Sequence, residues 1–274
     1  MSTETAERDY VLGTHDEEIA RLGVQHRVWR ARALDAWRRA GIGPGQTVID
    51  IGCGPGYASL DLAELVGPSG RVLALDRSRR FLNALEDARV QRGLTQIEPI
   101  ELDLDESQLP AAAADAAWAR WVFAFVRRPR ALLERVASRL KPGGRIVLHE
   151  YFDYRTWRVS PRSAVLEELV SVIMQSWRDN GGEPDIGLDL PRWLTELGFE
   201  LRSLEPIVQV VSPSSLVWQW PKSFIATGVA RLVELGALTP ERAGEIHAAY
   251  AASEAAPNTL LFTPAVLEII AVRR

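Results

Sequence analysis

The sequence predicts an α/β fold in which a doubly wound, mostly parallel sheet carries inserted helices. From about residue 15 to residue 150, short apolar segments that suit buried strands alternate with amphipathic segments of helical period. Beyond residue 150 the alternation stops, and longer helical segments surround only two further strands. Strands that alternate with helices pair in parallel through right-handed crossovers, which leaves helices on both faces of the sheet.

The first part of the chain supplies five strands and the helices that connect them. A first helix from His15 is expected to end at Ala40, because glycine and proline are concentrated in the next five residues. The strands are expected at 47–51, 71–75, 97–102, 114–119 and 145–149. The helices between them are expected at 57–65, 77–92 and 129–140.

Helices dominate the part of the chain that follows Glu150. Ser160 and Pro161 are expected to begin a helix that runs to Arg178, because a hydroxyl can cap the helix and proline suits its first position. Two late strands, which bring the sheet to seven, are expected at 200–211 and 265–272. Further helices are expected at 190–197 and within 213–256.

Composition and charge exclude several classes of protein. The chain has 274 residues and a net charge of −4, which gives no basis for a nucleic-acid partner. Cys53 is the only cysteine and the four histidines are scattered, so neither a disulfide framework nor a metal site is predicted. The N-terminus lacks a signal-peptide pattern, and the apolar run 111–126 is too short and too charged to span a bilayer. We therefore expect a cytoplasmic protein without stable membrane insertion.

A glycine-rich loop between the first strand and the next helix is the most informative segment. Gly52, Gly54 and Gly56 allow a ligand to approach the backbone and the positive end of the helix. Dinucleotide-binding folds place their third glycine one residue later, where this chain has Tyr57. Asp50 beside the loop would repel a pyrophosphate but suits a cationic ligand. S-adenosylmethionine (SAM) is such a ligand, because it carries an ammonium and a sulfonium.

Acids follow the next two strands as well. Asp76 ends the second strand and can accept hydrogen bonds from both hydroxyls of a ribose. Asp103 ends the third strand and can accept a hydrogen bond from an adenine amino group. Acids at three successive strand ends beside a glycine loop are a stronger signal than any one of them.

The chain here resembles class I SAM-dependent methyltransferases, in the small-molecule branch that includes ubiquinone- and menaquinone-type methyltransferases. The resemblance covers about residues 45–150 and implies a Rossmann-like methyltransferase sheet. The matching motifs are Asp50 to Gly56, Leu75-Asp76, Asp103 with Leu109-Pro110, Asp115, and Arg139 to Gly144. The resemblance implies that SAM is the cofactor, that S-adenosylhomocysteine (SAH) is the product, and that the N-terminal residues 1–44 cover the cofactor. The implied cofactor-binding residues are Tyr10, Gln25, Asp50, Gly52, Cys53, Gly54, Gly56, Asp76, Arg77, Asp103, Leu104 and Arg120.

The chain departs from related patterns after the fourth strand, and the departures concern the methyl acceptor. Ala124-Phe125 stands where many relatives have a histidine pair. Ala119 to Val122 replaces the Asn/Asp-Pro-Pro-Tyr motif that holds an amino group in nucleic-acid methyltransferases, which counts against nucleic-acid substrates. The acids that bind magnesium in catechol-type enzymes are missing as well.

The residues that bind the methyl acceptor are expected beyond residue 150. Helices over 151–180 and 213–256 would form a lid there, and this lid would cover the α/β core at 45–150. His149 and Tyr151 follow the fifth strand, at the edge where open α/β sheets bind ligands, and are the candidate catalytic residues. The tryptophans of this region favour an apolar or aromatic acceptor. The predicted pocket residues are Trp121, Trp157, Trp177, Trp218 and Trp220.

The sequence thus predicts a SAM-dependent methyltransferase that acts on an apolar or aromatic small molecule by in-line displacement. Two alternatives stay open: a SAM-binding regulatory protein without catalysis, and a nicotinamide-dependent oxidoreductase. The sequence leaves the acceptor, the methylated atom and the choice between monomer and homodimer undetermined.

Overall fold

The computed structural model describes residues 16–111 and 113–274. The helices are α1 (Asp16–Arg39), α2 (Tyr57–Val66), α3 (Arg79–Arg92), α4 (Pro129–Arg139), α5 (Ala164–Asp179), α6 (Leu190–Glu196), α7 (Gln219–Glu234) and α8 (Pro240–Ala255). The strands are β1 (Thr47–Ile51), β2 (Arg71–Asp76), β3 (Ile97–Glu101), β4 (Ala114–Arg120), β5 (Leu140–Asp153), β6 (Arg158–Ser160), β7 (Phe199–Ile207), β8 (Val210–Val211), β9 (Leu260–Phe262) and β10 (Ala265–Arg273).

Seven strands form one twisted sheet in the order β3-β2-β1-β4-β5-β10-β7. The first five strands pair in parallel, while β10 is antiparallel to both of its neighbours. This arrangement confirms the predicted doubly wound, mostly parallel sheet of seven strands. The strand order reverses between β1 and β4, and open α/β sheets bind their ligands at the carboxyl edge of such a reversal.

Alternate residues of the central strands pack on opposite faces of the sheet. Ile49 and Ile51 belong to the apolar core that includes α4 and α6. Val48 belongs to the core on the other face, beneath α1 and α2. There the Trp37 ring meets the Trp118 ring edge-on at a centroid distance of 5.1 Å. This period-two division is the pattern expected of strands that are covered on both faces.

A third apolar cluster joins α5, α7 and α8, and it includes Trp29 of α1 and Tyr151 of β5. The predicted start of α8 is confirmed, since the Thr239 hydroxyl accepts a hydrogen bond from Arg242 N at 3.2 Å. The predicted start of α5 is wrong. The helix begins at Ala164, because the Ser163 hydroxyl caps Leu166 N, and Arg158–Ser160 forms β6 instead.

The strand predicted at 200–211 is two strands in two sheets. β7 ends at Ile207, and β8 joins a second, three-stranded sheet of order β6-β9-β8. Backbone and side-chain hydrogen bonds of 3.0 Å between Gln209 and Thr263 hold the chain at this crossing. Within the residues that the structure describes, no helix is long and apolar enough to cross a membrane.

Candidate active site

A cavity of about 350 Å³ opens at the carboxyl edge of the seven-stranded sheet. Strand ends line one side of it, α1 lies across it, and aromatic side chains from the helical cluster line the other side. A smaller space of about 60 Å³ adjoins the loop after β1. Leu22, Gln25, Gly52 and Arg120 line both spaces. The two spaces therefore meet between α1 and the glycine loop.

The loop after β1 has a shape that depends on its glycines. Gly52 and Gly56 have φ values of +63° and +80°, in the left-handed region that disfavours side chains. A Cβ at Gly52 would lie 2.6 Å from a methyl carbon of Val122, and one at Gly56 would lie 2.2 Å from a methyl carbon of Leu85. These two glycines are therefore required by packing as well as by backbone conformation. At Gly54 a Cβ would meet only Leu22, at 3.8 Å, so this position faces open space.

Asp76 connects the glycine loop to the second strand. Its carboxylate is buried and accepts hydrogen bonds from Gly54 N at 2.9 Å and from Ser78 N at 2.8 Å. Burial raises the pKa of Asp76 above its ordinary value, although these amides oppose the shift. Asp76 also lines the larger cavity, as do Arg77, Asp103 and Leu104. The structure thus brings together the strand-end residues that the sequence identified.

Asp50 lies on the other side of the loop, where it lines the smaller space together with Cys53. Its Oδ2 accepts a hydrogen bond of 2.6 Å from the Ser59 hydroxyl. Burial raises the pKa of Asp50 to about 7. A cation placed beside it would favour the charged carboxylate.

Helix α1 holds its position over the site through polar contacts with α2. The Tyr57 hydroxyl donates to Ile19 O at 3.1 Å, and the Asp61 carboxylate accepts from His26 Nε2 at 3.1 Å and from Arg30 Nε at 2.8 Å. Gln25, which the resemblance assigns to the cofactor, lines the cavity. Tyr10, the other N-terminal residue predicted to bind the cofactor, lies outside the described residues.

A buried ion pair on α1 was missed by the sequence analysis. Glu18 accepts two hydrogen bonds from Arg21, of 2.6 Å and 2.7 Å, and Arg21 Nη1 donates to Gln25 Oε1 at 3.0 Å. Both charged residues line the cavity. Their spacing of three and four residues puts them on one helix face with Gln25, which is the signal that could have identified them.

The acceptor side of the cavity is built from aromatic rings. The Trp121 ring stacks on Tyr151 at 5.3 Å and on Trp220 at 5.2 Å, with interplanar angles of 12° and 15°. Trp29 of α1 meets Trp121 and Trp220 edge-on. Four of the five predicted tryptophans line the cavity: Trp121, Trp157, Trp177 and Trp220. Four further aromatic residues lie on its wall: Phe125, Tyr151, Tyr154 and Phe224.

The structure corrects the prediction for Trp218. This residue is fully buried inside the lid and does not line the cavity. Its ring packs against Tyr250 at 5.5 Å, and its carbonyl oxygen accepts from the Tyr250 hydroxyl. Trp218 lies in the turn just before α7, two residues from Trp220, and sequence position alone does not distinguish the two side chains.

The structure also contradicts a catalytic role for His149. Its side chain is fully buried below Trp29 and Trp118 and does not line the cavity. His149 Nε2 lies 2.9 Å from an oxygen of Glu268, which faces it from β10. Burial lowers the pKa of His149, and the same Glu268 carboxylate also binds Arg32 and Arg39. The prediction failed because His149 precedes Tyr151 by two residues in β5 and so lies further from the carboxyl edge of the sheet. Tyr151 does reach the cavity.

Two tyrosines face the cavity with hydroxyls that make no hydrogen bond to the rest of the described chain. These are Tyr151, a predicted catalytic residue, and Tyr154, which the sequence analysis missed. Burial raises the pKa of both hydroxyls above their ordinary values. At neutral pH both therefore remain protonated and can donate a hydrogen bond.

Glu150 binds the backbone of the turn after β4. It is fully buried, and its Oε1 accepts from Val122 N at 2.7 Å and from Phe123 N at 2.9 Å. These amides follow Trp121, whose φ of +53° is unusual for a residue with a side chain. Glu150 thus fixes the turn that carries Trp121 into the cavity.

Comparison with known proteins agrees with this architecture. Residues 48–144 match the family model of a methyltransferase domain. An uncharacterised 37.1 kDa protein in transposon TN4556 of Streptomyces fradiae is 32% identical over 174 residues, which are 61% of this chain and 47% of that protein. The demethylmenaquinone methyltransferase of Oceanobacillus iheyensis is 29% identical over 126 residues, which are 46% of this chain and 52% of that enzyme. The chain spans about half the length of the curated relatives that it matches.

Solved structures share the fold over most of the chain. A structure described as a putative methyltransferase from Bacillus halodurans has a TM-score of 0.61 at 15% identity, with 89% of this chain and 99% of that one covered. The [4+2]-cyclase SpnF has a TM-score of 0.56 at 20% identity, with 89% of this chain and 80% of that one covered. At these identities the likeness concerns the fold, which hosts more than one kind of chemistry.

Proposed function

We propose that this chain, which carries a methyltransferase domain of the class I, SAM-dependent type, is an enzyme that methylates an apolar or aromatic small molecule by in-line displacement. One observation carries the proposal. The acidic strand ends and the glycine loop open into the same cavity as the aromatic wall formed by Trp121, Tyr151 and Trp220. A cofactor on one side and an acceptor on the other would therefore adjoin each other within one cavity.

The residues of the strand ends fit SAM. Asp76, Asp103 and Leu104 line the cavity; in this proposal Asp76 accepts from the ribose hydroxyls, and Asp103 with Leu104 contacts the adenine. The open side of Gly54 and the buried carboxylate of Asp50 suit the methionine portion with its ammonium group. When bound, SAM supplies an electrophilic methyl group on a sulfonium and leaves as SAH.

The aromatic wall supports a flat, apolar acceptor. Parallel rings about 5 Å apart present faces and edges against which another ring packs favourably. The lid helices behind this wall exclude water, and the wall restricts the orientation of the acceptor. Alignment and the exclusion of water are the main contributions that a protein makes to methyl transfer.

The hydroxyls of Tyr151 and Tyr154 supply the polar part of the acceptor site. Since both are expected to stay protonated, they serve as hydrogen-bond donors to an oxygen of the acceptor and not as bases. We therefore propose Tyr151 as a residue that orients the acceptor. Glu18 lines the same cavity, but its two oxygens already accept from Arg21.

Two observations favour this function over the alternatives. The match to a methyltransferase domain and the short glycine spacing both count against a nicotinamide-dependent oxidoreductase. A cavity with a separate aromatic wall beside the cofactor residues counts against a protein that only binds SAM, because such a protein needs no acceptor space. We expect the acceptor to be a small molecule and not a nucleic acid, and we expect the protein to act in the cytoplasm.

Calorimetric titration with SAM and with NAD, followed by measurement of SAH formation, tests the proposal. We expect SAM to bind and NAD not to bind. We expect SAH to form when flat aromatic acceptors such as hydroquinones or phenols are added, and we expect only a slow background without them. Binding of SAM without turnover on any of a broad panel of acceptors would instead support the regulatory alternative.

A further inference from the structure

We infer that Glu18 is the general base of the reaction and that the acceptor is an aromatic compound with a hydroxyl group, whose proton Glu18 removes. This inference rests on the proposed function, because it assigns a catalytic residue and an acceptor class to the same cavity. Glu18 is buried on α1 and lines the cavity. His149 does not line the cavity and the two tyrosines on its wall stay protonated, so these groups supply no base.

The other three carboxylates that line the cavity already accept hydrogen bonds from backbone amides. Asp76 accepts from two amides, as described above. Asp103 accepts from an amide in the loop after β3, and Asp105 accepts from two amides that precede α4. All three lie at or just after the ends of β2 and β3. Among the described residues, Glu18 is therefore the carboxylate that lines the cavity from the helical side.

Arg21 connects Glu18 to the polar part of the acceptor site. It donates to Glu18 Oε1 at 2.6 Å and to Oε2 at 2.7 Å, which fixes the plane of the carboxylate. The Arg21 guanidinium also interacts electrostatically with the hydroxyl groups of Tyr151 and Tyr154. Each oxygen of Glu18 keeps a further lone pair that can accept a proton. Glu18 thus lies in the region of the cavity where these hydroxyls would hold the acceptor.

The combination of donors and base selects a hydroxyl group. Tyr151 and Tyr154 are buried, and their hydroxyls donate into the cavity, whereas the carboxylate of Glu18 only accepts. A hydroxyl suits both, because its oxygen accepts from a tyrosine while its proton is donated to Glu18. An amine does not, because its single lone pair would be occupied by the tyrosine hydroxyl and could not attack the methyl group.

The step is balanced in atoms and in charge. The acceptor proton moves to Glu18, and the acceptor oxygen uses an electron pair to form its bond to the methyl group. The bond between that methyl group and sulfur breaks, and its electron pair stays on sulfur. The negative charge of Glu18 and the positive charge of the sulfonium disappear together, which avoids an unpaired charge in a buried site. The proton returns to water when the product leaves.

The first test compares two phenols as acceptors for the wild type and Glu18→Gln. With 4-methoxyphenol, which needs a base, kcat/KM should fall about 100- to 10,000-fold in the variant, the usual contribution of a general base. With 4-nitrophenol at about pH 9, where it is already ionised, the loss should be less than about tenfold. Glu17→Gln, an exposed change on the same turn of α1, should leave both values unchanged.

The second test measures binding without turnover, by titration of 4-nitrophenol into the protein with SAH bound. The wild type should bind the neutral phenol in preference, since its hydroxyl donates to Glu18. Its dissociation constant should therefore rise about tenfold between about pH 6 and pH 8, as the ligand loses its proton. In Glu18→Gln the charge of Arg21 is no longer neutralised, so affinity should not fall over this range.

Equal losses on both phenols in a folded Glu18→Gln would overturn the inference, because a general base is not needed for an ionised acceptor. Preferential binding of the ionised phenol by the wild type would also overturn it, and this measurement needs no variant. Turnover of aromatic amines but not of phenols would reject Glu18 as the base while leaving the proposed function in place. Absence of SAH formation with every acceptor would instead contradict the proposed function itself.

Discussion

Asp76 combines two tasks in a single side chain. It holds the glycine loop through Gly54 N, and it lines the cavity where a ribose would lie. Asp76→Ala removes both contributions, so we expect SAM binding to weaken by about 2–4 kcal/mol, as for lost hydrogen bonds to a charged group. Calorimetry measures the change, with Asp87→Ala on the exposed face of α3 as the control. Unchanged affinity in Asp76→Ala would show that the ribose lies elsewhere.

Glu150 should make the stability of the protein depend on pH. Burial raises its pKa to about 7 from an ordinary value of 4.5. The folded chain therefore binds more protons than the unfolded chain between these values. The neutral carboxyl contributes its full stabilisation at a pH below the ordinary pKa. This contribution to the free energy of unfolding is lost as the pH rises through the pKa of Glu150 in the folded protein.

Glu150→Gln removes this titration but keeps an oxygen that can accept from Val122 N and Phe123 N. Between about pH 5 and pH 8, the wild type should lose about 1–3 kcal/mol more of its unfolding free energy than the variant loses. Urea unfolding at the two pH values gives the difference, and the other acids cancel because both proteins contain them. Parallel pH profiles would contradict the assignment.

Residue type and position along the chain were enough to predict the acids at the strand ends. The carboxyl ends of parallel strands share one edge, so Asp50, Asp76 and Asp103 had to come together there. The same argument wrongly placed His149 at the cavity. Its position near the end of a strand does not show whether neighbouring side chains cover it. Arg120 was predicted as a pocket residue, but the lack of a hydrogen-bond partner for its buried Nη1 in the described part of the chain became visible only in three dimensions.

At the scale of whole elements, α1 is held over the site by hydrogen bonds to α2 and by ion pairs of Arg32 and Arg39 with Glu268. Tyr57→Phe removes the hydrogen bond to Ile19 O, which should cost about 1 kcal/mol of stability. Because α1 lines both spaces, SAM affinity should also fall, by up to about 1 kcal/mol, with faster amide exchange in α1. Tyr250→Phe is the matched control, since its hydroxyl binds Trp218 O inside the lid. That variant should lose stability without losing SAM affinity.

The lid should serve the acceptor and leave the cofactor largely unaffected. Trp220→Leu removes a ring that stacks on Trp121, so we expect a higher KM for the acceptor or a lower kcat. SAM affinity should change by less than about 1 kcal/mol, the scale of an indirect effect. Trp218→Leu, two residues away and outside the cavity, should reduce stability alone. Loss of SAM binding in Trp220→Leu with unchanged acceptor kinetics would assign this wall to the cofactor.

For the molecule as a whole, the alternation of strands and helices was sufficient to predict the large sheet but not the small one. The strands β1, β2 and β4 are each followed by an α-helix, so local periodicity carried the information. The second sheet instead joins β6, β8 and β9, which are two or three residues long and far apart in the chain. Segments this short have no periodicity to detect, and their pairing depends on how the lid helices meet.

The residues of the site come from α1, from three strand ends and from the loop after β4. A cofactor bound there should therefore stabilise the whole fold. At a hundredfold excess over its dissociation constant, SAH should add about 2.7 kcal/mol, which corresponds to a rise of several degrees in Tm. NAD at the same concentration should leave Tm unchanged. EDTA should alter neither Tm nor SAH formation, because the described residues contain no cluster of His, Cys, Asp and Glu suited to a metal ion. Loss of turnover with EDTA and its recovery with magnesium would mean that the acceptor is bound through a metal.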